Sequence, residues 1–191
     1  MTNEQRTQKI ETIIGTIGFA NEDELSLPYA PESFKRYEFD QEFKGKFLYI
    51  PTSEREIFIA LDGRIQGESG YEISLEARKI QHERIKEFLT HLHSETEQLM
   101  PSAGGYCTII PEKNFLAFFG TTIRYQKGID EMKDGLVARE INQESGGLIH
   151  RVLPLKGQME LAKEIQEISL DENGEPYVKL DFSGSVRRLK C

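Results

Sequence analysis

Cysteine is scarce in this chain. There are two among 191 residues, Cys107 inside an apolar strand pattern and Cys191 at the last position. No disulfide framework can be drawn from them, so a reducing, cytoplasmic setting is expected. Long apolar runs are missing as well. No stretch approaches the roughly 20 residues that a membrane-spanning helix needs. The opening MTNEQRTQKIE is polar and lacks the apolar core of a secretory signal, so no membrane is expected among the partners. Basic residues are outnumbered: 24 Lys and Arg against 32 Asp and Glu leave a net charge of −8. That balance argues against broad nucleic-acid binding, and the small basic tail of Arg187, Arg188 and Lys190 reads as a solvated end. The nucleotide-binding loops G-x-x-x-x-G-K-[ST] and G-x-G-x-x-G are absent. So are a G-x-S-x-G elbow and a close Cys–His pair, and there is no repeat or low-complexity segment.

What is present is an ordinary globular balance. Apolar residues make up 38% and charged residues 29%, enough for one domain that buries roughly 70% of the surface of its unfolded chain. The expected layout is an N-terminal helix and connection over 1–34, a central sheet–helix unit over 35–128, and C-terminal hairpins with a short helix over 129–191. Ile10, Ile13, Ile14 and Ile17 follow the i, i+3, i+4, i+7 rule of a helix. Thr2 and Gln5 have capping-box spacing before it, and Gly18 follows as a stop. Strand signals come next at Arg36–Asp40, KFLYI (46–50) and EIFIAL (56–61). Asp62-Gly63 reads as a hairpin turn leading to a brief strand. A long helix is expected from Ser74 to Met100, ended by Pro101 and Gly104-Gly105. Tyr106–Ile110 and Phe115–Phe119 form a hairpin, and the uniformly apolar FLAFF (115–119) predicts a strand covered on both faces. Leu136–Ile141 and Leu148–Leu153 read as a further hairpin around QESGG, and Gln158–Ile168 as a short amphipathic helix. Asn173-Gly174 suits a type I′ turn in a last hairpin. The expected class is α+β, helices on a mostly antiparallel sheet, because the strand–helix rhythm of βαβ units is not seen.

Three of the four histidines, His82, His91 and His93, fall within twelve residues. Histidine binds metals and moves protons near neutrality, so such a group is where chemistry is sought first. On a helix, however, residues two apart point about 200° apart, and His82 and His93 stand roughly 16 Å apart along the axis. One ion cannot be held by them. HLHSETEQLMPS also lacks the final aspartate of the His-x-His…Ser pattern of a JAMM metalloprotease. No metal site and no cofactor are expected. His150, in LIHRVL, reads as a structural or surface residue of a strand.

His82 sits mid-helix in KIQHERI, and here the chain resembles a known family. Over about residues 45–128, GKFLYI (45–50), QHERI (81–85), AGGYCTII (103–110) and FFGTTIRY (118–125) resemble, in order, the first strand, the catalytic-histidine helix, a glycine turn with its strand, and the anion loop of the phosphohistidine phosphatase (janus) family. The resemblance implies that His82 would be the acid/base or nucleophile. It also implies that Gly120, Thr121 and Thr122 would hold a phosphate through backbone N–H groups and a hydroxyl. The family's lysine position holds Leu48, and its arginine position holds Tyr106 or Cys107. Lys46 or Arg124 would have to supply the positive charge.

Other candidates are weaker on physical grounds. Ser102–Gly105 and Ser145–Gly147 could form small anion nests, but glycines there also suit turns. Asp171, Asn173 and Glu175 lightly resemble a calcium loop without its terminal glutamate. The sequence thus leads to two expectations. The first is a cytosolic, non-catalytic binding or regulatory domain that recognises a protein partner or small ligand. The alternative is a phosphohydrolase or phosphate-ligand-binding protein that uses a helical histidine.

Overall fold

In the computed structural model the described residues are 10–20, 23, 34–52, 55–67, 70–72, 85–89, 100–122, 125–149, 151–154, 165–182 and 185–190. They build an α+β molecule on one large mixed sheet. Its strands are β1 (Ile10–Phe19), β2 (Phe34–Arg36), β3 (Phe43–Pro51), β4 (Glu56–Gly67), β5 (Gly70–Glu72), β6 (Ala103–Ile110), β7 (Phe115–Phe119) and β10 (Arg151–Pro154). A short ribbon pairs β8 (Thr121–Thr122) with β9 (Lys127–Gly128), and β11 (Ile165–Leu170), β12 (Pro176–Phe182) and β13 (Ser185–Lys190) form a separate meander. Residues 85–89 are helical (α1), and the longest described helix is α2 (Glu131–Glu144). The main sheet runs β10-β7-β6-β3-β4-β1-β2, with β5 folded back on β4. Its pairs are antiparallel except β1 with β4 and β10 with β7, which are parallel.

The first segment is a strand, not the expected helix. Its four isoleucines divide between the two faces of the sheet: Ile10 and Ile14 join one core cluster, Ile13 and Ile17 the other. A strand buried on both sides needs no strict alternation, and the β-branched residues suit a strand better than a helix. Gly15 is also needed for space, since a Cβ there would lie 2.0 Å from the ring of Phe34 on β2.

The reverse correction applies to Leu136–Ile141, which is helix and not half of a hairpin. Asp134, Val137, Ala138 and Ile141 are its buried residues, at i, i+3, i+4 and i+7. A carboxylate in the first place of that stripe masks the period. Asp130 caps the helix, its side chain accepting from the N–H groups of Met132 and Lys133. Helix α2 therefore carries the chain from β7 across to its parallel neighbour β10, a βαβ connection of the kind the sequence did not display.

Smaller corrections follow. Asp62-Gly63 is no turn; both lie within β4, opposite Thr16 and Ile17. Met100 is not helical, and Gly104-Gly105 belongs to β6. Of the expected helix at 158–168, Ile165 onward is β11, and residues 158–164 lie outside the described residues. The basic tail is β13, paired with β12. The last hairpin is present, but Asn173 keeps a negative φ and only Gly174 is left-handed, at φ 77°. The turn is therefore not type I′. The Asp171 carboxylate stabilises it instead, accepting from the N–H groups of Asn173 and Glu175.

Both faces of the sheet are covered. On one, Phe47, Tyr49, Phe58 and Phe118 pack with Val137, Ala138 and Ile141 of α2. On the other, Leu48, Ile50, Ile57 and Ile59 meet Ile85, Phe88 and Leu89 of α1, while Leu170 covers Phe115, Ala117 and Phe119. FLAFF is buried at every position. No helix among the described residues is long and apolar enough to cross a membrane.

Candidate functional site

Lys46 lies on β3 with Leu61 of β4 on one side and Tyr106 of β6 on the other. Its side chain emerges on the face covered by α1 and the meander, between the α1 cluster and the Leu170 cluster. The ammonium stands 5.5 Å from the centre of the Tyr106 ring, a cation–π contact. Tyr106 in turn stacks on Phe119, with ring centres 5.5 Å apart and planes 18° apart. Burial lowers the pKa of Lys46 and raises that of Tyr106. No described carboxylate forms an ion pair with Lys46.

The chain that follows Phe119 turns against the same ring. Gly120 is left-handed at φ 77°, and a Cβ there would lie 2.9 Å from Cδ2 of Tyr106. Both observations require glycine. Thr121 and Thr122 then pair with Gly128 and Lys127. Thr122 is fully buried. Its Oγ1 accepts from the Tyr125 N–H at 3.3 Å, and its methyl lies over Gly104, where a Cβ would come within 2.7 Å. The hydroxyl expected to hold a phosphate also shapes the β8–β9 ribbon as an acceptor, and its own O–H is a separate donor. Gly104-Gly105 serves close packing within a strand; a Cβ at Gly105 would lie 2.3 Å from the Phe119 carbonyl. Lys86 of α1 sits 5.3 Å from the Tyr125 ring. Three lysines, Lys46, Lys86 and Lys127, therefore touch or belong to the surroundings of this ribbon.

The expected site is only partly described. Lys46, Gly120, Thr121 and Thr122 are brought to one seam. His82 and Arg124, like His91, His93 and His150, lie outside the described residues. Among the described residues, no group of three His, Cys, Asp or Glu could hold a metal ion. Ser145–Gly147 closes α2: Gly146 and Gly147 are left-handed and their N–H groups reach the carbonyls of Gln143 and Asn142.

No protein-family model, curated protein or solved structure matches the chain.

Two buried polar centres escape sequence reading. Asp62 and Arg64 pair on β4, with Nε and Nη2 of Arg64 donating to one carboxylate oxygen at 3.3 and 3.2 Å, and Nη2 also reaching the Glu42 carbonyl. Across the same face, the Tyr49 hydroxyl donates to Oδ1 of Asp134 at 2.9 Å. The Asp134 carboxyl is pushed up to about 7: burial raises it most, the Tyr49 hydrogen bond pulls it down, and Asp130 and Glu131 push it up. Cys107 is fully buried, and its thiol is pushed well above its usual range by burial and by Asp134. Such a thiol is inert as a nucleophile. Nothing in the sequence marks Tyr49 and Asp134 as partners, because 85 positions separate them.

Proposed function

We propose that this chain is a non-catalytic binding domain, acting in the cytoplasm, whose ligand is a small phosphate-bearing molecule seated at Lys46 beside the Gly120–Thr122 turn. The observation that carries the reading is Lys46 itself. A lysine drawn half into the sheet surface and set over Tyr106 has given up hydration without gaining a counter-ion among the described residues. An anion would supply that counter-ion and return the ammonium to its full charge. In a protein of net charge −8, positive charge that no described carboxylate pairs with favours an anion at this seam over elsewhere on the surface. Lys127, on β9, adds to the local potential. The resemblance of residues 45–128 to the janus family supports the same ligand chemistry, with Lys46 in a different strand position from the family's lysine.

The test is calorimetric titration with inorganic phosphate and a panel of phosphorylated compounds, with product release followed in the same samples. Saturable binding that is lost in Lys46→Met, without turnover, is the expected result. Turnover lost in His82→Ala would replace this reading with the phosphohydrolase one. No binding by any compound would remove both.

A protein partner is favoured by a separate observation. Met100 and Met132 are 55% and 74% exposed, and both lie next to the Lys133–Ser102 contact of 3.2 Å. Exposed, adaptable thioether side chains suit a protein surface.

A further inference from the structure

We infer that Asp134 and Tyr49 form a proton-operated latch: the first turn of α2 is fastened to the sheet while the Asp134 carboxyl holds a proton and loosens when it is lost. The geometry supports this in three ways. Asp134 is the fourth residue of α2 and is fully buried. One of its oxygens has the Tyr49 hydroxyl, and the other, Oδ2, is buried with no hydrogen-bond partner. No described cation pairs with it. The nearby ammonium, Lys133, is held elsewhere, 3.1 Å from Glu56 and 3.2 Å from the Ser102 hydroxyl, and passes 6.0 Å from the Tyr49 ring.

Charges and titratable groups around Asp134 come from each packed element. Helix α2 and its cap supply Asp130, Glu131 and Lys133; β3 supplies Tyr49, β4 supplies Glu56, and β6 supplies Cys107. The acids oppose ionisation. The helix dipole favours it weakly at this end, and one hydroxyl cannot replace the hydration shell of a carboxylate. The Tyr49 and Cys107 protons are held far above neutrality by burial and by Asp134 itself, so neither competes. A carboxyl lifted to about 7 places the change near neutral pH. The ionised group regains water most directly by lifting the first turn, which would uncover Tyr49, Phe47 and Phe58. This switch is independent of any ligand at Lys46.

Native-state amide exchange followed by NMR tests it, with protection factors corrected for the intrinsic rise of exchange with pH. Between pH 6 and 8.5 the protection of amides 134–138 should fall by about tenfold or more, the effect of a pKa unit or beyond. It should stay constant in Asp134→Asn, which keeps the shape without the charge. In Tyr49→Phe, which removes the donor, the fall should move to higher pH. Unchanged protection in the wild type, or the same fall in Asp134→Asn, would overturn the latch. A side-chain carbon titration of wild-type Asp134 with its midpoint near 4 would do so without any variant.

Discussion

Asp134 gives the residue-scale account its sharpest consequence. Burial pushes its carboxyl up to about 7 in the fold, with Tyr49 and the neighbouring acids included, from an ordinary 3.8, so between those values the folded chain holds a proton that the unfolded chain has released. Stability therefore falls as pH rises through that window and levels off above it, by on the order of 4 kcal/mol. Urea unfolding at pH 5 and pH 8 should show about two-thirds of this decline in the wild type, on the order of 3 kcal/mol, and lose this contribution in Asp134→Asn, which should be the more stable protein at pH 8. At Lys46 binding follows the same direction, for a different reason. Raising pH removes the charge from a lysine whose pKa burial has lowered, so phosphate affinity should weaken with pH earlier than an exposed lysine would allow. Gly120→Ala should cost more than about 1 kcal/mol, because it adds a Cβ both at positive φ and against Tyr106; thermal unfolding would measure it. Of this chemistry, Lys46 and Gly120 were legible in the sequence as a charge and a turn near a glycine-flanked hydroxyl. Tyr106 was legible only as a departure from the family's arginine, and Asp134 with Tyr49 not at all. Partnerships across 85 residues are set by strand order and helix docking, which local pattern does not encode.

Among the elements, β1 and α2 exchange identities with their expectations for related reasons. In β1 a helical spacing of isoleucines arises because both faces are buried, so every apolar position is satisfied whichever way it points. In α2 a genuine helical stripe is interrupted by a carboxylate that the fold buries. The hairpins β3–β4 and β6–β7 were readable because apolar runs flank polar turns, and FLAFF announced its two covered faces. The cap of α2 offers a direct check. Asp130→Ala removes the acceptor for two backbone N–H groups and should destabilise the protein by about 0.5–2 kcal/mol. Denaturant midpoints at fixed pH would show it, with the loss concentrated in the first turn of the helix by amide exchange.

The whole molecule is a sheet closed on both faces, and its interior is dominated by aromatic contact between strands. Phe47 meets Tyr49, Phe58 and Phe118 with ring centres 5.5 to 5.6 Å apart. Phe47→Ala should cost about 3–5 kcal/mol, read from urea unfolding, since it empties the place where three strands and α2 meet. That closure leaves the seam at Lys46, between the α1 cluster and the Leu170 cluster, as the place where a charged side chain reaches the sheet surface without a described counter-ion. The most direct test of this claim is backbone amide NMR of the full chain during titration with inorganic phosphate and phosphorylated compounds. Saturable shifts centred on Lys46, Tyr106 and Gly120–Thr122, and abolished in Lys46→Met, are predicted. Shifts centred elsewhere, or equal in Lys46→Met, would contradict the account.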